Sequence, residues 1–199
     1  MSIQIKTING ITQNTTKHLL LDAGAFFVGY NPATDTFESA KTAGKLLGAT
    51  KGGGSFKAVP KFRTIDFDGV RGKIKGSEIL ESWDVSLTAK VIETTPITIK
   101  RALGIATLDS DSGVENYTKI TGKQVLELTD YADNITWVGT LSGSEKPVIV
   151  QVFNALAQKG LELDMADKSE GIIQLDFRGY YTAEELDTPP FAIYYPKLG

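Results

Sequence analysis

Few side chains in this sequence have the types and spacing that catalysis requires. Its single histidine, His18, is followed by three leucines. A histidine acting as a general base needs a nucleophile and an orienting carboxylate nearby, and the Gly-x-Ser-x-Gly turn of many hydrolases does not occur. We therefore interpret His18 as a surface residue at the start of a strand.

Two groups of carboxylates have spacings that suggest chemistry. Asp66, Asp68, Glu78 and Glu81 are close enough in sequence to suggest the carboxylate pair of a glycosidase, but aspartates beside glycine are typical of turns. The sequence DSDSG at 109–113 begins as a calcium loop does, yet the third ligand and the closing glutamate are missing. We predict solvated turns in both places, with no catalytic residue and no metal site.

The glycines of KGGGSFK, residues 51–57, invite comparison with a phosphate-binding loop. The pattern G-x-x-x-x-G-K-[ST] is absent, and no helical pattern follows as a dinucleotide fingerprint requires. The chain has no cysteine, which excludes disulfides and thiolate metal sites. We expect no cofactor.

Composition describes an ordinary globular chain with no attraction to nucleic acid. The 199 residues carry a net charge of −3, whereas binding of phosphates requires clustered Lys and Arg. The start, MSIQIKTING, lacks the apolar region of a secretory signal. The apolar stretch at 19–29 is too short to span a bilayer. We predict a single domain over 1–199 that does not associate with membranes.

The strongest structural signal is an alternation of apolar and polar residues, the period of half-buried strands. It is clearest from Trp83 to Val91, and it recurs at 173–178 and 134–141. The run VIVQVF at 148–153 is rich in β-branched residues and indicates a strand buried on both faces.

Helical signals are few. Thr95, Pro96 and Gly104 are typical of the cap, first turn and end of a helix over about 95–104. A second short helix is possible over 152–158. Many strands with frequent Gly turns and few helices predict a mainly β chain: an antiparallel β-sandwich or half-barrel with one or two short helices, one of them flanking at about 95–104.

One segment, 40–57, combines glycines and lysines with a few apolar residues. Glycine at this density loses much conformational entropy when it is ordered. We predict an extended arm at about 40–57 that is either mobile or ordered against a partner. Its candidate subunit-interface residues are Lys45, Leu46, Leu47, Lys51, Gly52, Gly53, Gly54 and Phe56.

The order of these segments resembles a known family. A glycine-rich segment leads into GGGSFKAVPKFRTIDFDGVRGKIKG at 52–76, then WDVSLTAKVIETTPITIKRALG at 83–104, and the chain closes with DTPPFAIYYPK at 187–197. This succession resembles the major tail tube protein of long-tailed, non-contractile bacteriophages. The likeness extends from about Gly24 onward; the stretch 109–121 matches nothing in the family pattern.

The resemblance implies a structural subunit without catalysis. Six copies would form a ring, and stacked rings would form a hollow conduit for DNA and the tape measure protein. It also implies tail terminator and distal tail or baseplate proteins as partners, DNA in transit only, assembly in the host cytoplasm and a final place in the virion. A weakly acidic protein is compatible with conducting DNA without holding it.

Two alternatives stay open. One is a virion-associated β-sandwich module that binds carbohydrate or protein, which would need a concave aromatic or polar site. The other is the inner tube protein of a contractile tail or secretion machine, which the sequence does not separate from the first interpretation.

Overall fold

The computed structural model describes residues 9–163 and 167–198; most of the N-terminal decapeptide considered above lies outside them. This part of the chain is mainly β, as predicted. Its elements follow in the order β1 (Ala25–Val28), α1 (Phe37–Thr42), β2 (Thr50–Thr64), β3 (Glu78–Val91), α2 (Pro96–Leu103), β4 (Ala106–Asp109), β5 (Lys119–Gly122), β6 (Ala132–Gly139), β7 (Val148–Ala157), β8 (Ile173–Arg178) and β9 (Phe191–Tyr194).

Seven of the strands form one antiparallel sheet. Its order is β1-β6-β7-β8-β3-β2, with β9 paired to β7, and β4 and β5 form a separate small ribbon. Strand β7 pairs with β9 over 149–152 and with β8 over 156–157. Between these two pairings Asn154 has a φ of 47°, an irregularity at which β7 changes its partner from β9 to β8. The antiparallel sandwich expected from the sequence is confirmed.

Alternation along the strands builds that core. In β3 Val85, Leu87, Ala89 and Val91 are buried, and in β8 every second residue is buried. Leu87 lies opposite Phe177 in the register of the two strands. The strands predicted at 83–91, 134–141, 148–153 and 173–178 all form, because one apolar face of each is covered by the other half of the sheet.

Helix α2 has the boundaries that the sequence predicts. The hydroxyl oxygen of Thr95 accepts a hydrogen bond from the Thr98 amide at 3.1 Å, and Pro96 occupies the first turn. Gly104 ends the helix with a φ of 73°, a conformation that glycine adopts without steric cost. The buried Ala102 faces the sheet.

One helical prediction is wrong, and one short helix was not predicted. The segment 152–158 is not helical, because residues 152–157 belong to β7 and pair with neighbouring strands. The sequence analysis also missed α1, which begins at a capping box where Thr36 and Ser39 exchange hydrogen bonds between side chain and backbone. In both places tertiary pairing or a local cap outweighs weak intrinsic propensity.

Candidate assembly surface

The segment 40–57 is folded onto its own chain, which corrects the prediction of an extended arm. Lys45 forms an ion pair with Asp35 at 2.5 Å, and this ion pair lowers the pKa of the Asp35 carboxyl. The backbone of Leu46 forms an isolated antiparallel β-bridge with Phe27 of β1. Leu47 is 2% exposed and belongs to the core, so it is not available to a neighbouring subunit.

The glycines next along the chain form a corner. Between Thr50 and Gly54 the register of β2 against β3 shifts, and Gly52 and Gly53 both have positive φ. A Cβ at Gly54 would lie 2.0 Å from the carbonyl oxygen of Thr88. These glycines allow the chain to turn from the edge of β1 into β2 and to approach the backbone of β3 closely. The glycines are therefore explained by the geometry of this corner and need not indicate disorder.

The remaining candidate residues of this segment also contact their own chain. Lys51 forms an exposed ion pair with Glu170 at 2.6 Å. The ring of Phe56 packs on the core, with its centroid 5.8 Å from that of Phe191. Of the eight candidates, Lys51, Gly52 and Gly54 are exposed, and Lys45, Leu46 and Phe56 are partly buried. A role of these six residues at a subunit interface stays a prediction.

The carboxylates considered for catalysis are not brought together. Glu78 pairs with Lys73 at 2.6 Å and Glu81 with Arg63 at 3.1 Å, while Asp66 and Asp68 lie exposed in the connecting loop. His18 is exposed, and its Nδ1 lies 3.0 Å from the hydroxyl of Tyr195. Within residues 9–163 and 167–198, no three His, Asp or Glu side chains are grouped to hold a metal ion.

Strands β2 and β3 form a long hairpin that extends past the rest of the sheet. Their pairing runs from Thr50–Val91 to Thr64–Glu78, whereas β8 covers β3 only from Ser86 to Val91. We call residues 61–82 the distal hairpin. Within this hairpin β2 and β3 pair only with each other and with no other described strand. We call its connecting loop, residues 65–77, the tip.

The two faces of the distal hairpin differ in chemistry. Phe62 and Leu80 lie opposite each other in the register, on the face that continues from Pro60 and Trp83 above the core. They are 55% and 46% exposed. The apolar face of the hairpin thus runs on beyond the part of the molecule that covers it.

The opposite face is charged and internally paired. Arg63 lies 3.1 Å from Glu81, and Lys61 lies 3.9 Å from Asp84. Alternation along β2 places Lys61 and Arg63 on one face and Phe62 on the other. The register shift between Lys61 and Phe62 leaves Glu81 of β3 without a register partner and brings Leu80 opposite Phe62. Exposed ion pairs of this kind are suited to water. Two apolar side chains, Val59 and Ile79, lie among them on this face and are 37% and 42% exposed.

The tip adds further exposed apolar surface. Its large apolar side chains, all more than one-third exposed, are Ile65, Phe67, Val70 and Ile74. They surround a shallow hollow of about 330 Å³. Exposed apolar side chains grouped in this way are more typical of interaction surfaces than of the scattered apolar residues of an ordinary surface.

The exposed distal hairpin was not predicted from the sequence, although its turn signals at Asp68-Gly69 and Lys75-Gly76 are visible there. The apolar residues from Val59 to Phe67 look like those of any half-buried strand. Only the length of β8 reveals that nothing in the described chain covers them.

Comparison of the sequence with models of known families gave no match, and comparison with curated proteins gave none either. The part of the chain that the structure describes contains no helix with the length and apolar character of a membrane span.

Proposed function

We propose that this protein is a structural subunit that assembles with copies of itself, and that the assembly is the tail tube of a long-tailed bacteriophage. The observation that carries the proposal is the distal hairpin, whose apolar face, with Phe62 and Leu80 half exposed, has no cover in the described chain. A second copy that covers this face would remove it from water, which is the main driving force of protein association.

Open sheet edges support the same conclusion. Strand β2 pairs only with β3 along the distal hairpin, and β9 pairs only with β7, so each leaves one edge of backbone N–H and C=O groups unpaired within the described sheet. Such edges are an aggregation hazard unless another strand or chain satisfies them. When contacts between two unlike surfaces repeat around a closed circle, they give a ring. In such a ring each subunit can pair the open sheet edge of its neighbour.

The identity of the assembly rests on the resemblance in segment order between 52 and 104 and at the C-terminal close. In such a tube hexameric rings stack, the tape measure protein and DNA occupy the lumen, and terminator and distal tail proteins bind the two ends. The mature location would be the virion. The subunit would need no catalytic residue, and the carboxylates of the hairpin serve as ion-pair partners of lysine and arginine.

A pair of matched variants tests the role of the apolar face. F62S/L80S removes two apolar side chains from that face, and R63S/I79S changes the adjacent register pair, which lies on the charged face. We expect the first variant to sediment as a folded monomer at concentrations where the wild type assembles, because its apolar face no longer drives association. The second variant should assemble like the wild type.

Sedimentation velocity over a range of concentrations measures both variants, with circular dichroism as the check on folding. Equal assembly of F62S/L80S and the wild type would contradict the proposed role of the hairpin.

A binding module has one observation in its favour. A cleft of about 600 Å³ opens between the corner at Gly52–Ser55 and the segment before β1, and aromatic side chains of Phe26, Phe56 and Trp137 line it. Aromatic clefts of this size accommodate small ligands. Quenching or shifting of tryptophan fluorescence by sugars, from a protein that stays monomeric, would favour this function over assembly.

A further inference from the structure

A cavity of about 270 Å³ lies between helix α2, the segment just before β6 and the sheet. Lys100 and Arg101 of the helix line it, together with Thr129 and Tyr131 of that segment. It shares no lining residue with the aromatic cleft described above. We propose that this cavity binds a carboxylate group carried on a small apolar body, and that Arg101 is the residue that recognises it.

Arg101 is partly buried, yet its guanidinium has no counter-ion in the part of the chain that the structure describes. None of the ion pairs formed by the described residues includes it. Burial lowers the pKa of the guanidinium, and no carboxylate raises it. Because arginine stays charged in proteins and an unpaired charge is costly to withdraw from water, an anion bound at Arg101 would be stabilised.

The end of the helix does not by itself explain this burial. A cation in the last turn is favoured by the helix dipole, but an exposed side chain would gain the same benefit. The guanidinium nitrogens are not among the fully enclosed, unpartnered polar atoms of the described chain. The head of Arg101 therefore stays accessible to a ligand that enters from solvent.

The other charged groups at the cavity leave it cationic. Asp130 lines it too, but this carboxylate is only 5% exposed and is held by Lys123 at 2.7 Å. The hydrogen bond from Lys123 is the main cause of the lowered pKa of Asp130, and Lys100 contributes less. Glu127 is exposed and pairs with Lys123 as well, at 2.8 Å. The cations Lys100, Arg101 and Lys123 thus outnumber the two carboxylates.

The rest of the wall is apolar and decides which kind of carboxylate would fit. Ile97 of α2, Leu108 of β4, Ile135 of β6 and Phe177 of β8 line the cavity. The planar fork of an arginine matches the two oxygens of a carboxylate. Clefts for small ligands combine such apolar walls with a few polar groups, and their volumes start at about 300 Å³. The ligand is therefore small, a short aliphatic or aromatic acid.

Benzoate and benzamide share a shape and differ in charge, so together they test the site. The full-length chain is used at concentrations where it is monomeric, with ionic strength held constant. We expect benzoate in the millimolar range to raise the midpoint temperature of unfolding progressively, because a ligand that binds the folded state stabilises it. Benzamide should leave the midpoint unchanged. No effect of benzoate, or an equal effect of both compounds, would overturn the proposal.

Substitution of Arg101 locates the effect. R101M removes the guanidinium and keeps an apolar stem, so it should unfold at or above the wild-type midpoint. We expect it to weaken benzoate binding at least about tenfold, the loss typical of a charged hydrogen bond. R101K keeps the charge without the fork and should retain only part of the affinity. R71M removes an exposed arginine of the tip and should bind benzoate like the wild type.

Two results with R101M would contradict the role of Arg101. Undiminished benzoate binding would mean that another group recognises the carboxylate. A clearly lower midpoint of unfolding would mean that the guanidinium already has a partner within the chain.

The carboxylate has two sources, a free organic acid or an Asp or Glu side chain of a neighbouring copy, and the second rests on the proposed assembly. Sedimentation velocity of R101M tells them apart. If a neighbouring copy supplies the group, R101M should stay monomeric where the wild type assembles; if a free acid does, R101M should assemble normally. Failure of the wild type to assemble would overturn the proposed function, whereas the benzoate measurements would still decide this inference.

Discussion

At Gly54 the backbone leaves no room for a side chain. A Cβ there would lie 2.0 Å from the carbonyl oxygen of Thr88 and 2.5 Å from Cζ of Phe26. The glycines that suggested a mobile arm thus serve a close approach between β2 and β3. At the residue scale, glycine is ambiguous in a sequence, because conformational freedom and lack of volume are separate reasons for its use.

Substitution at this position distinguishes the two reasons. We expect Gly54→Ala to reduce the free energy of unfolding by about 1–3 kcal/mol or more, because Thr88 and Phe26 must shift to admit a methyl group. Gly72→Ala is the matched control, since its Cβ would meet no atom within 4 Å, and should change stability by less than about 0.5 kcal/mol. Urea unfolding at constant m-value measures both. Similar small effects would mean that the corner tolerates side chains.

At the scale of elements, strand β3 is covered by the rest of the sheet along only part of its length. In β3 the residues from Val85 to Val91 pack against the core, and those before Trp83 extend past it. The ends of β8 set this division. One strand therefore serves as core at one end and as exposed surface at the other.

Two deletions should separate the corner from the hairpin. Removal of 45–54 deletes the buried Leu47 and the corner at Gly54, so we expect an unfolded or aggregated chain. Replacement of 62–81 by Asn-Gly joins Lys61 to Ser82 through a two-residue turn that suits hairpins. This second variant should stay folded with a near-native circular dichroism spectrum. A folded chain after removal of 45–54, together with an unfolded chain after replacement of 62–81, would contradict the assignment of 45–54 to the core and of 62–81 to the exposed hairpin.

Sequence predicted the elements whose own residues decide their structure. Trp83–Val91 alternates, and α2 has a cap, a proline and a terminal glycine, so both could be assigned before the fold was known. It did not reveal which surface is left open, because alternation gives two faces but not the length of the neighbouring strand. The sequence therefore predicted the interface at 40–57, whereas Phe62 and Leu80 of the distal hairpin are among the exposed apolar side chains.

At the scale of the whole molecule, the long hairpin of β2 and β3 extends an exposed apolar face past the core of the seven-stranded sheet. A compact chain of this length has a radius of gyration of about 16 Å. Its weakly acidic composition is compatible with the conduit for DNA that we propose.

Electron microscopy of the purified full-length chain over a range of concentrations tests the central claim most directly. The account predicts rings or hollow tubes about 100 Å across, the size expected for six domains of that radius around a lumen. The F62S/L80S variant, imaged at the same concentrations, should show single particles. Wild-type protein that stays a dispersed monomer at every concentration, with tape measure protein added as well, would contradict the account.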